Sequence, residues 1–177
     1  VFANLSSDGG NIFLPTSDLK LDPCECCGSR AIYSKDGGLS VLYRDKTDDL
    51  RDTNVAYLAS GSTTWKNRKI STTPWPINAC PMTGSFLSRT KNGLAAAWET
   101  KSQIYCALLQ NSGKAKPEEI RVAKKGRYPV VLTSATGTKL VAWKNDSQLE
   151  WQLFDAKNSP TGDRRSASSK GPHPVSY

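Results

Sequence analysis

Three stretches of the chain repeat one short phrase: Leu39-Ser-Val-Leu-Tyr43, Leu94-Ala-Ala-Ala-Trp98 and Lys139-Leu-Val-Ala-Trp143. Each follows a glycine-containing turn and closes on an aromatic, and the closing aromatics stand 55 and then 45 residues apart. A shorter apolar run precedes each turn: Arg30-Ala-Ile-Tyr33, Ser85-Phe-Leu-Ser88 and Pro129-Val-Val-Leu132. A third follows each aromatic: Asn54 to Leu58, Gln103 to Leu109 and Gln148 to Phe154. Alternation and the β-branched and aromatic content of these runs predict strands. A period of this size fits a four-stranded antiparallel unit of a propeller, and is too long for a single hairpin. The expected fold is all-β: three to four such units, forming part of a propeller.

The rest of the chain agrees with many turns and little helix. Its 13 glycines and 10 prolines are spread between short apolar runs. The one expected exception is a turn or short helix near Lys116-Pro-Glu-Glu119. The final Ser166-to-Pro174 stretch, low in apolar content, is expected to be a loop leading into the next unit. No stretch approaches the roughly 20 apolar residues that span a bilayer. The formal net charge is +8, but its basic clusters are not interleaved with aromatics as a base-stacking platform requires, so no nucleic-acid partner is expected. A merely solvated basic surface is the plainer reading of the charge, and an anionic glycan or an acidic partner comes between it and nucleic acid.

A second periodic signal lies at the turns that follow the third runs. Ser6-Ser-Asp-Gly-Gly-Asn-Ile-Phe13 fits S-x-D-x-G-x-x-aromatic, with Ser6, Asp8, Gly10 and Phe13 at the key positions. Ser60-Gly-Ser-Thr-Thr-Trp65 keeps the turn and the aromatic, and Leu109-Gln-Asn-Ser-Gly113 is more degraded. Asp8, Ser60 and Asn111 stand 52 and 51 apart, which supports the same period. A short Asp or Asn folds back on backbone N–H groups, glycine permits positive φ, and the aromatic is expected to plug the unit's core. Asp8 is thus read as a turn-former, and Phe13, Trp65, Trp98 and Trp143 as core.

On these residues the chain resembles the Asp-box, or BNR-repeat, β-propellers of the sialidase-like superfamily. Cys24-Glu-Cys-Cys27, Tyr43-Arg-Asp45, Arg51-Asp52 and Trp75-Pro-Ile-Asn-Ala-Cys-Pro81 are similar to a secreted bacterial branch of it. The resemblance runs from Ser6 to about Tyr177 and implies one propeller segment over 1–177. Its blades are expected at about 24–79, 80–125 and 126–170, with partial blades at both ends. It further implies a secreted or periplasmic protein, recognition of a glycan or protein at the channel mouth, and another chain or further blades completing a ring of about six. A terminal repeat without a cap would expose strand edges.

Cysteines gather where these units are entered. Cys24, Cys26 and Cys27 precede the first inner run and Cys80 the second. Gly126-Arg-Tyr-Pro-Val130 aligns with Gly171-Pro-His-Pro-Val175, which puts His173 at a corresponding entrance. Two readings are open. Cys80 closes a disulfide with one of the other three, stapling neighbouring units in an oxidising compartment. Alternatively the thiolates form a copper, zinc or redox site, with His173 as an additional ligand. Against the second stands the adjacency of Cys26 and Cys27, since strand neighbours point to opposite faces. Cys106 is read as a buried free thiol.

The resemblance also raises glycoside hydrolysis. Sialidases hold a substrate carboxylate with an arginine cluster and pair it with a tyrosine nucleophile and a carboxylic acid–base. The candidates here are Arg30, Arg44, Arg51, Asp45 and Asp52, with Tyr43 as a further possibility. The chain lacks the Arg-Ile-Pro signature of the catalytic family, and blade-edge ion pairing of Arg44-Asp45 and Arg51-Asp52 is the plainer expectation. For ligand binding the candidates are Arg30, Arg127 and Trp75, the last as an exposed stacking surface or as a lid packed over its unit.

Overall fold

In a computed structural model of the chain, which describes residues 2–110 and 118–168, fourteen strands form four antiparallel sheets. β1 (Phe2–Ala3) and β2 (Ser17–Asp18) make a two-stranded ribbon. The other twelve form three four-stranded meanders. The first holds β3 (Arg30–Tyr33), β4 (Leu39–Arg44), β5 (Thr53–Leu58) and β6 (Trp65–Lys69). The middle sheet holds β7 (Phe86–Arg89), β8 (Gly93–Thr100), β9 (Gln103–Gln110) and β10 (Ile120–Ala123). In the third are β11 (Arg127–Thr133), β12 (Lys139–Asn145), β13 (Gln148–Phe154) and β14 (Pro160–Ser168). One meander thus lies within each of the ranges 24–79, 80–125 and 126–170. A short 3₁₀ turn, Thr47–Asp49, separates β4 from β5.

The turns between the first two strands of each meander share their chemistry. Ser34 N donates to Gly38 O at 2.7 Å and Ser134 N to Thr138 O at 2.9 Å, while Thr90 N donates to Gly93 O. Gly37 and Gly137 take positive φ there, which a Cβ would penalise. The S-x-D-x-G segment folds as its chemistry predicts. Asp8 Oδ1 accepts from the Asn11 and Ile12 amides, Ser6 Oγ accepts from the Gly10 amide, and Gly9 and Gly10 have positive φ. The Ile12 amide first, then the Ser6 hydroxyl, which donates to Asp8 Oδ1 at 2.7 Å, and the Asn11 amide hold the Asp8 carboxyl below its ordinary value. The turn between β13 and β14 repeats instead the hairpin pattern of Ser34 and Ser134, with Asp155 N donating to Ser159 O at 2.9 Å. Asp155 Oδ1 accepts from the Lys157 and Ser159 amides, but the segment has Asn158, not glycine, at positive φ.

The repeated phrase is the core. Tyr43, Trp98 and Trp143 are 1%, 0% and 0% exposed. The middle sheet is covered on both faces, which explains the Ala-Ala-Ala of β8. Leu94, Ala96 and Trp98 pack with Leu42, Val55 and Ile70 of the first unit, whereas Ala95 and Ala97 pack with Val131, Val141 and Trp143 of the third. Side chains alternate across a strand, so small residues here let two neighbouring sheets close in at once. Truncating either buried tryptophan would cost about 3–5 kcal/mol.

Three expectations need correction. Phe13 is 56% exposed, so the aromatic of the first Asp-box turn does not plug a core among the described residues. Trp65 begins β6, an outer strand, and is only half-buried. Residues 166–168 belong to β14 rather than to a loop, because pairing with β13 recruits a polar segment that has no apolar pattern of its own.

Candidate functional site

The strands β3, β7 and β11 begin where β4, β8 and β12 end, as the antiparallel registers require. Each repeated aromatic is followed at that end by a polar residue: Arg44, Glu99 and Lys144. The first two of these positions join one sheet to the next. Arg44 is 3% exposed; its Nη1 donates to Arg51 O at 2.6 Å and its Nη2 to Glu99 O at 2.7 Å across the gap to the middle sheet. Its guanidinium also lies 4.8 Å from the centre of the Trp75 ring. Arg127 bridges the middle and third sheets in turn. Its Nη2 donates to Pro81 O at 2.6 Å and its Nε lies 3.7 Å from the Glu99 carboxylate. Burial pushes the Glu99 carboxyl up, while Thr83, Arg127 and Arg44 pull the other way.

At one end of this polar row is the cysteine cluster. Cys26 and Cys80 form a disulfide with Cα atoms 6.5 Å apart, tying the entrance of the first sheet to that of the middle one. The disulfide expectation is met. Cys24 and Cys27 are buried free thiols beside it. Cys24 Sγ is 3.7 Å from Cys26 Sγ, 3.7 Å from Cys80 Sγ and 3.4 Å from Cys27 Sγ. All four sulfurs lie within 4.8 Å of one another. The objection from strand alternation fails because Cys24–Cys27 is a tight turn, with Cys27 N donating to Cys24 O at 3.0 Å. His173 lies outside the described residues. Cys106 is buried and unpaired, its thiol pushed up to about 12 by burial.

At the other end are two adjoining clefts that share Lys125 and Asn145. The first, of about 340 Å³, is lined by Lys125, Arg127, Tyr128, Lys144 and Asp146 among others. The second, of about 470 Å³, adds Arg121, Lys124 and Arg164. Tyr128 has a φ of +54°, and its ring lies 4.9 Å from the Arg127 guanidinium. Non-glycine residues in this region cost of order 1–3 kcal/mol and collect at functional sites. Lys125 is paired with Asp146 at 2.7 Å. The lining nonetheless carries six basic side chains against one carboxylate.

The other sequence candidates do not gather into a catalytic centre. Arg44, Arg51 and Asp52 are 3%, 5% and 5% exposed, and Tyr43 is buried with its hydroxyl raised by desolvation. Ion pairing is met at Arg51 and Asp52, with other partners than each other. Asp52 pairs with Lys69 and accepts from the Trp75 amide, while Arg51 lies 4.0 Å from Asp49. Asp45 accepts from the Thr47 amide at the start of the 3₁₀ turn. Trp75 is 7% exposed and packs as a lid beneath Arg44, so it offers no open stacking face. Arg30 lies over the Phe86 ring at 4.5 Å, away from the clefts. Of the binding candidates only Arg127 lines a cleft. Glu99, Tyr128 and Lys144 were missed, although the recurrence of a polar residue after each aromatic was readable.

The sequence matches no protein-family model and no curated protein. No helix among the described residues is long and apolar enough to cross a membrane.

Proposed function

We propose that this chain is an arc of a sialidase-like β-propeller that recognises an anionic glycan at the basic clefts beside β11. The propeller reading rests on the three meanders, whose first strands β3, β7 and β11 lie side by side. Ser88 and Thr133 hydrogen-bond across β7 and β11 at 2.9 Å, and Arg89 Nε donates to Tyr33 O across β7 and β3. First strands in mutual contact are what blades arranged about a common axis require. A secreted or periplasmic setting fits the Cys26–Cys80 disulfide.

The single observation that carries the ligand class is the cleft lining. A half-buried tyrosine offers a face for a sugar ring, and the surrounding Arg and Lys groups supply donors for its carboxylate or sulfate. An acidic protein would meet the same charges but would not need the tyrosine at a strained backbone position. Hydrolysis is a weaker reading because Arg44, Arg51, Asp52 and Tyr43 are embedded in the fold.

Binding to a panel of neutral, sialylated, uronate-containing and sulfated oligosaccharides tests the proposal, with single-stranded DNA as a polyanion control. Acidic sugars should bind in a salt-sensitive way, and Tyr128→Ala and Lys144→Gln should each weaken binding several-fold. Equal binding of neutral sugars, or equal binding of DNA, would refute the assignment.

A further inference from the structure

One staple between two sheets needs two cysteines, yet four meet at this point. The two that take no part in the disulfide, Cys24 and Cys27, are both buried, and Cys24 Sγ approaches each of the other three sulfurs to 3.4–3.7 Å. Zinc–thiolate bonds of about 2.3 Å at tetrahedral angles place ligand sulfurs about 3.8 Å apart. Three of the six edges of such a tetrahedron are therefore close to length already, and two more, Cys26–Cys27 and Cys27–Cys80, are no longer than 4.8 Å. The sixth edge is the Cys26–Cys80 bond itself.

The surroundings suit an anionic centre. Arg44 is buried, its Nε has no hydrogen-bond partner, and among the described residues it has no carboxylate ion-pair partner. Its guanidinium is within electrostatic reach of Cys27, Glu99 and Cys24, Cys27 foremost. The backbone N–H of Thr83 also approaches Cys27. A buried cation with no carboxylate in contact is costly unless negative charge beside it offsets it. Four thiolates around a divalent ion carry a net charge of −2, and outer donors of this kind orient and steady such ligands.

We propose that Cys24, Cys26, Cys27 and Cys80 form a tetrathiolate site for zinc in the reduced protein, and that the Cys26–Cys80 disulfide is the metal-free, oxidised form of the same site. The interconversion balances with a dithiol as reductant. The dithiol gives two electrons and two protons to the Cys26–Cys80 bond and becomes a disulfide itself. Zinc then displaces the four thiol protons, which leave to solvent. The movement required is the parting of two sulfurs from bonding distance to about 3.8 Å. The cluster thus exchanges one cross-link between the sheets for another, and the strand entrances stay joined in both forms.

The whole chain, reduced without oxygen and freed of reductant, is titrated with Co²⁺ as a spectroscopic probe. One equivalent should give thiolate-to-cobalt charge-transfer bands with the intense visible absorption of a tetrahedral site, and Zn²⁺ should abolish both. Cys24→Ser and Cys27→Ser should each weaken binding by more than the roughly 10–100-fold that losing an outer-shell partner costs. Cys106→Ser should leave it unchanged, as should the loss of any sugar binding. Absence of charge-transfer bands, an octahedral spectrum, or unaltered binding in the Cys24 and Cys27 variants would overturn the proposal. Should those variants not fold, alkylation of the reduced wild-type protein decides. Zinc must shield four thiols, and shielding of fewer overturns the site.

Discussion

Gly126 sits at the entrance of β11, where the middle and third sheets come closest, and the tightness of that fit can be measured. A Cβ placed there would lie 2.4 Å from Trp143 Cδ1 and 2.9 Å from Ile104 Cγ1. Trp143 and Ile104 are both fully buried, so neither can swing into solvent. Overpacking of a filled core costs about 1–3 kcal/mol. Replacing glycine by alanine also restricts the unfolded chain and returns about 0.4–1 kcal/mol. The net expectation for Gly126→Ala is a loss of about 1–2 kcal/mol, or a fall in Tm of roughly 2–8 °C for a chain of this size. Gly28 supplies the control, since a Cβ there meets nothing within 4 Å and its φ is not positive. Gly28→Ala should therefore be neutral or raise Tm by a few degrees. Urea and thermal unfolding followed by tryptophan fluorescence reads both, with five tryptophans as reporters. Equal shifts in the two variants, or a Gly126→Ala protein as stable as the parent, would refute the close packing of the middle sheet on the third.

Reduction of Cys26–Cys80 in the presence of a chelator should lower stability by about 4 kcal/mol, the chain-entropy value for a loop with a sequence separation of 54, measured as a shift in the urea midpoint. Asp8→Ala removes the acceptor of the Asn11 and Ile12 amides, and should raise hydrogen exchange in that turn while leaving the midpoint of global unfolding within about 0.5 kcal/mol. Glu99 makes a pH prediction. Burial holds its proton more tightly in the folded chain, so its contribution is fully present below the unfolded value near 4.5 and is lost as pH rises through the higher folded value. Glu99→Gln should flatten that part of the stability profile, and an identical decline in wild type and variant would count against a buried, proton-holding carboxyl.

The fold was legible to the extent that it is periodic. Tyr43, Trp98 and Trp143 recur because each sheet needs one large aromatic at the same place, and burial of all three followed. The convergence of Cys24, Cys26, Cys27 and Cys80 was also readable, since strand entrances coincide in any stack of meanders. What could not be read was decided by contacts between units. Trp75 sits on a Pro-flanked loop that looks exposed, but Arg44 and the Asp52 carboxylate draw it inward. Arg51 and Asp52 are neighbours in sequence and take different partners, Asp49 and Lys69, on the connection that enters β5. The turn at Asp155 escaped notice because Asn158 takes the positive φ that glycine usually marks.

The residue after each aromatic has a consequence for how such a chain can change over evolutionary time. Tyr43, Trp98 and Trp143 are constrained letters, since volume and burial leave little else to stand there. Arg44, Glu99 and Lys144 are the letters that differ from one repeat to the next. Arg44 is read by the backbone carbonyls of Arg51 and Glu99, which any residue there supplies, whereas the Glu99 carboxylate is read by the Arg127 side chain of the next sheet. A change at Glu99 is therefore tolerable only if the next repeat can answer it. Variation there should come as matched pairs from adjacent sheets, so that the charge pattern of the face drifts as a sentence rather than as single characters.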